Sequence, residues 1–235
     1  MNKLTILFFT FLTAWLTIAC SQGESGAGKG DLIVVYEDSE PGVDAYQTRL
    51  LVNEKFLRMD DGVDDSSYTL LDRQKKIVYS VSHANQTVLK IVTKKTSDRV
   101  ERKLVMDATK IEDGAMPEVG GKKPNHYQLT VNGNICANVI AVKGLHKELV
   151  QALGEFKRVL VGTHIANMTN TPKELQNECF LAHNIVSPSR TLQFGLPIFE
   201  EDISGKRRLL IDYKVNANTN ETLYKLPEKY RIVNK

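Results

Sequence analysis

The residues able to do chemistry are few and scattered. They are three cysteines (Cys20, Cys136, Cys179), five histidines (His83, His126, His146, His164, His183) and the acidic run Asp60-Asp61-Gly62-Val63-Asp64-Asp65. Zinc hydrolysis wants H-E-x-x-H and a serine nucleophile wants a G-x-S-x-G elbow; the sequence has neither. The acidic run lacks the alternating oxygen ligands and closing Glu of a calcium loop, and reads as a solvated turn. Gly23-Glu24-Ser25-Gly26-Ala27-Gly28-Lys29 satisfies the start of a phosphate-binding loop, but the next residue is Gly30 instead of the Ser or Thr that holds Mg²⁺. That loop must also open a helix toward the phosphates. Here Asp31-Leu32-Ile33-Val34-Val35-Tyr36 follows, with β-branched strand character. No convergent acid, base or nucleophile set emerges, so the chain is expected to be no enzyme, with no cofactor and no metal.

Composition places these residues in an ordinary globular chain, 42% hydrophobic and 25% charged. The formal net charge of +3 gives no reason to expect nucleic acid or an acidic lipid surface as partner. Residues 4–19 form an apolar run broken only by threonines, after the positive start Met1-Asn2-Lys3. Sixteen residues of helix rise roughly 24 Å, short of a ~30 Å hydrocarbon core, so 1–19 reads as a secretion signal. Leu16-Thr17-Ile18-Ala19 before Cys20 resembles the bacterial lipobox, with Thr17 where Leu is more usual. The resemblance implies that Cys20 is acylated and becomes the first residue, anchored stably because it carries more than one chain. Ser21 after the cysteine resembles the signal for outer-membrane sorting, and Gly/Ser-rich residues 20–30 read as a lipidated flexible tether. With Cys20 taken by lipid, Cys136 and Cys179 remain in an oxidising compartment. They form either a disulfide, closing a loop of about 43 residues for roughly 4 kcal/mol, or leave Cys179 to act with His183 as a metal or nucleophile pair on one helical face.

Short β-like runs separated by turn signals fill the next stretch: 32–36, 46–52, 55–59, 68–72, 77–81 and 88–92, with room for a further strand within 94–103. Residues 112–123 read as a loop. The runs 126–131 and 135–142 flank Asn132-Gly133, the strongest short hairpin signal. The period then changes, with Leu145, Leu149, Leu153, Phe156 and Leu160 marking an amphipathic helix over 146–166. Thr171-Pro172-Lys173-Glu174 combines a capping box with Pro at the first helical position and predicts a second helix to about Asn184. Strands over 191–199, 207–215 and near 230–233 close the chain. The architecture predicted over 31–235 is α+β, a curved antiparallel sheet packed on two helices.

The segments Leu70-Leu71-Asp72 to Ile77-Val78-Tyr79, Leu51-Val52-Asn53-Glu54-Lys55-Phe56, Gly195-Leu196-Pro197-Ile198 and Leu226-Pro227-Glu228-Lys229-Tyr230 resemble motifs of bacterial half-barrel lipoproteins. Those proteins are similar to the Lol-type outer-membrane lipoprotein carrier and receptor. The resemblance implies a half-barrel partly filled by helices that holds an acyl chain or other apolar ligand. Tyr68, Leu70, Ile77, Tyr79, Val81, Leu89 and Ile91 are then expected on the concave side, with Phe156 and Leu160 pressing in from the helix. The expected function is that of an outer-membrane lipoprotein facing the periplasm, anchored through Cys20, binding an apolar ligand without catalysis. The second reading is a structural or protein-interaction lipoprotein whose core is filled by its own side chains. Sequence leaves the two open, because either satisfies the same apolar periodicity.

Overall fold

A computed structural model describes residues 30–93, 103–169, 171–172 and 175–235. The signal segment, Cys20, the tether up to residue 29 and nearly all of the charged stretch 94–103 lie outside these residues. Six strands run first: β1 (Asp31–Glu40), β2 (Val43–Val52), β3 (Phe56–Asp60), β4 (Tyr68–Asp72), β5 (Ile77–Ser82) and β6 (Thr87–Val92). After β7 (Met106–Ile111), β8 (Pro124–Val131) and β9 (Asn134–Val142) come the helices α1 (Lys147–Thr169) and α2 (Glu178–Leu181). β10 (Leu196–Asp202), β11 (Arg207–Ala217) and β12 (Arg231–Asn234) complete the described elements. All twelve strands belong to one open, curved sheet in the order β12-β6-β5-β4-β3-β2-β1-β11-β10-β9-β8-β7.

Local chemistry explains the meander. Asn132 and Gly133 both have positive φ, at 50° and 82°, as a type I′ hairpin between β8 and β9 requires. At the β2–β3 turn the Asn53 carboxamide oxygen accepts from the Lys55 and Phe56 amides, both at 2.9 Å, replacing ladder bonds that the turn cannot make.

The fold is more β than predicted. The second helix does not start at Thr171. Asn177 caps it by accepting from Phe180 N at 3.0 Å, while Gln176 Nε2 donates to the carbonyls of Met168 and Thr171 and holds the link against the end of α1. One α-turn later the backbone widens into a π-turn over Ala182–Val186, so among the described residues only the 23-residue α1 is a long helix. Residues Thr191–Phe194 form a 3₁₀ turn instead of the start of a strand, and β10 begins at Leu196. The sheet is also mixed, because β12 runs parallel to β6 while every other described pair is antiparallel.

One face of the sheet packs on α1. Val34, Tyr36, Leu50, Leu57, Leu71, Val78 and Ile91 meet Leu149, Ala152, Leu153 and Val159 there. Segment 179–195 continues the cover over β8–β10, with Phe194 stacked on Tyr127 at 4.0 Å between centroids and Ala182 against Val131 and Cys136. On the opposite face, the chain after β11 crosses β3–β6 and buries Leu51, Tyr68, Leu70, Val81 and Val88 beneath Leu223, Tyr224, Leu226 and Tyr230.

Candidate functional site

The residues expected to line one concave surface fall on both faces. Register decides this, since cross-strand partners share a face. Tyr68 pairs with Val81, Leu70 with Tyr79 and Asp72 with Ile77, which places Tyr68, Leu70, Ile77, Tyr79 and Val81 on the face away from α1. In β6, Val88 pairs with Val81, whereas Ile91 pairs with Val78 and Leu89 with Ser80, so Leu89 and Ile91 point toward α1. There they join Phe156 and Leu160 at the margin of the helix-packed core. The single expected surface is corrected to two, separated by the thickness of the sheet.

Neither surface is hollow where its core residues meet. Val34, Leu50, Leu57 and Leu71 from the sheet and Leu149 and Ala152 from α1 are each 0% exposed. At that exposure each side chain touches protein on every side. On the other face the cover is fastened by polar groups. Arg58, 2% exposed, donates from Nε to Asp60 Oδ2 at 2.6 Å, from Nη1 to Leu223 O at 2.7 Å and from Nη2 to Asp64 O at 3.0 Å. Its guanidinium carbon lies 3.9 Å from the centroid of the Tyr68 ring, and Tyr68 Oη donates to Lys225 O at 2.6 Å. Arg49 closes the cluster with two hydrogen bonds to Asp60, at 2.8 and 2.9 Å, and one to Asp64 at 2.7 Å. Burial pushes the Asp60 carboxyl upward, but hydrogen bonds from Arg49 and Arg58 outweigh it and hold the group below the usual carboxylate range. The acidic run thus supplies anchors for the buried Arg58 and the partly buried Arg49. A similar pair, Arg208 with Asp38 at 2.7 and 2.9 Å, lies on the α1 face beyond the helix.

The remaining polar groups are dispersed. A cleft of about 670 Å³ opens near Gly30, Lys55 and Glu221, but Asp31 within it already accepts from Asn53, Thr219 and Tyr224. His83 Nδ1 meets Tyr230 Oη at 2.7 Å, and His126 Nδ1 meets Asp113 Oδ2 at 2.6 Å. The rings of His146 and His164 pack on Tyr213 and Phe180. Among the described residues no group of three or more His, Cys, Asp or Glu side chains is placed to hold a metal ion. Cys136 and Cys179 form a disulfide with Cα atoms 5.3 Å apart, so the pairing of Cys179 with His183 as ligand or nucleophile is ruled out. The Cys179 sulfur is committed. Sequence reasoning missed Arg58 and Tyr224 as fastenings of one face and singled out Tyr230 only as part of the Leu226–Tyr230 motif; Asp60 two residues after Arg58 was a further local signal.

No protein-family model matches the chain, and no curated protein matches it. Among solved structures it is similar to a conserved protein from Thermus thermophilus described as uncharacterized, with a TM-score of 0.42 at 9% identity, over 88% of this chain and 91% of that one. It is also similar to PNGF-II in two crystal forms, with TM-scores of 0.42 and 0.41 at 10% identity, over 88% of this chain and 31% of the other. Among the described residues no helix is long and apolar enough to cross a membrane.

Proposed function

We propose that this chain is a lipid-anchored outer-membrane lipoprotein, held through Cys20 and facing the periplasm. Its half-barrel serves as a structural or interaction module and does not carry a ligand between sheet and helix. The observation that supports this reading is the complete burial of Leu50, Leu57, Leu71, Leu149 and Ala152 against one another, which leaves no room for an acyl chain unless α1 departs. Expelling a packed helix would expose that apolar surface to water at about 25 cal/mol per Å². The role needs no catalytic group. Phe156 and Leu160 act as core-edge packing in this reading, and Tyr68, Leu70, Ile77, Tyr79 and Val81 as the bed for the C-terminal segment.

Two measurements test it. An exported form beginning at Ser21, purified without detergent, is expected to give the bare polypeptide mass under native mass spectrometry. A retained lipid overturns the filled-core reading in favour of an apolar-ligand carrier. Mass analysis of the membrane-extracted protein is expected to show acyl chains on an N-terminal Cys20, and an unmodified Cys20 overturns the anchor and the location.

A further inference from the structure

The disulfide forms part of a cleft of about 350 Å³, outside the α1–sheet core, at the far end of α1. Its walls are Met168 from the last turn of α1, Leu175, Phe180 of α2 and Ile203 from the β10–β11 turn, with His183 and Asp202 among the polar groups. Leu175 and Ile203 are 74% and 54% exposed, which makes the mouth apolar as well as the interior. The walls are fixed by three constraints: the Cys136–Cys179 bond, the Asn177 cap on Phe180 N, and the Ile203 amide donating to Cys136 O at 3.2 Å. A preformed cavity spares a ligand the cost of ordering its site.

His183 adds direction. The π-turn over Ala182–Val186 presents its ring, and π-turns of this kind recur at functional positions. Arg190 Nη1 lies 3.3 Å from His183 Nε2, and a guanidinium can only donate, so Nε2 is the acceptor. A neutral imidazole that accepts at Nε2 carries its proton on Nδ1 as a hydrogen-bond donor, and His183 is one of the residues that line the cleft. Among the described residues that line the space there is no Lys or Arg, while Asp202 is one of them and its negative charge disfavours anions. The volume is at the lower end for ligand pockets, and Phe180 and Met168 suit an aromatic ring. We infer that this cleft binds a compact, uncharged aromatic compound bearing one carbonyl oxygen, which accepts from His183 Nδ1–H.

The probes are acetophenone, its isostere α-methylstyrene without the carbonyl oxygen, and benzoate, titrated into the ¹⁵N-labelled form beginning at Ser21. Acetophenone is expected to shift the Phe180 and Ile203 amides saturably and to bind about three- to tenfold tighter than α-methylstyrene, the worth of one neutral hydrogen bond. Benzoate is expected to leave those amides in place. Ile203→Arg and, at the opposite rim, Leu175→Arg each block the mouth and are expected to abolish the shifts; both sites are exposed, so the fold, checked by circular dichroism, is retained. His183→Phe is expected to keep acetophenone binding but to lose its advantage over α-methylstyrene. Absence of saturable shifts with acetophenone, shifts unchanged in both blocking variants, or benzoate binding as well as acetophenone overturns the assignment.

Discussion

Cys136 and Cys179 join β9 to α2 across 43 residues of chain, and the span between them includes all of α1. Cross-linking a loop of that length removes freedom from the unfolded chain worth about 4 kcal/mol. Cys136→Ser is therefore expected to lower the melting temperature by on the order of 10 °C in oxidising buffer and to match the wild type once both are fully reduced. Equal losses in both buffers would mean that the serine disturbs packing at Cys136 and that the bond itself contributes nothing. His183 in the following π-turn gives a second handle. Burial is the main cause that lowers its pKa to about 4, helped by the nearby charges of Arg190 and Lys157 and opposed by Glu200 and Asp202. In the unfolded chain the ring titrates near 6.5. Its contribution to stability is thus fully present above pH 6.5. It is lost as pH falls from there toward 4, where the unfolded chain takes up a proton that the folded one refuses, by at most roughly 3 kcal/mol. Urea titrations of wild type and His183→Gln at stepped pH are expected to show the wild-type advantage shrinking across that window; an advantage independent of pH would show that the ring is not held neutral.

At the scale of elements, the turn into β10 depends on a single glycine. Gly195 has φ +124°, and a Cβ built there would sit 2.3 Å from Val142 O, a backbone atom of β9 that cannot move aside. Gly42, between β1 and β2, also has positive φ at 81°, but a Cβ there meets nothing within 4 Å. Gly42→Ala is expected to cost about 1–2 kcal/mol from its backbone conformation alone, and Gly195→Ala about 3 kcal/mol or more because the β9–β10 contact must open as well. Guanidinium denaturation of both variants measures the difference, and equal losses would place the strain in φ alone. Gly195-Leu196-Pro197 was readable in the sequence as a motif, though not the contact that requires its glycine. Other elements divide the same way. The Asn132-Gly133 hairpin and α1 were legible because turn chemistry and helical period are local. The side on which Leu89 and Ile91 fall was not. Val88, Leu89, Ile91 and Val92 make both faces of β6 apolar, and only the pairing of Val88 with Val81 chooses between them. The parallel docking of β12 on β6 joins segments nearly 150 residues apart and leaves no local trace either.

Whether the space between the sheet and α1 is empty is settled by the whole molecule, because it depends on summed volumes that no sequence window contains. The helix buries Leu149, Leu153 and Val159 together with Ala152, Gly154 and Gly162. Three small residues among six buried ones let α1 approach its neighbours closely, so the large side chains reach across and close the gap. Apolar periodicity registers the large residues, whereas closing the gap depends equally on the small ones. The consequence is a clear response to truncation. A helix packed without voids cannot collapse around a missing isopropyl group, so Leu149→Ala is expected to cost about 3 kcal/mol, within the 2–5 kcal/mol range of buried leucines. A helix that serves as a movable plug over a ligand space already has slack beneath it, and the same substitution would then cost less than about 1 kcal/mol. Ala152→Leu probes the opposite sense, because a filled interface has no room for three extra carbons and is expected to lose about 1–3 kcal/mol by overpacking, whereas a hollow one would gain stability from the added apolar contact. Chemical denaturation of the two variants beside the wild type therefore distinguishes a filled interface between sheet and helix from a hollow one without any ligand being known.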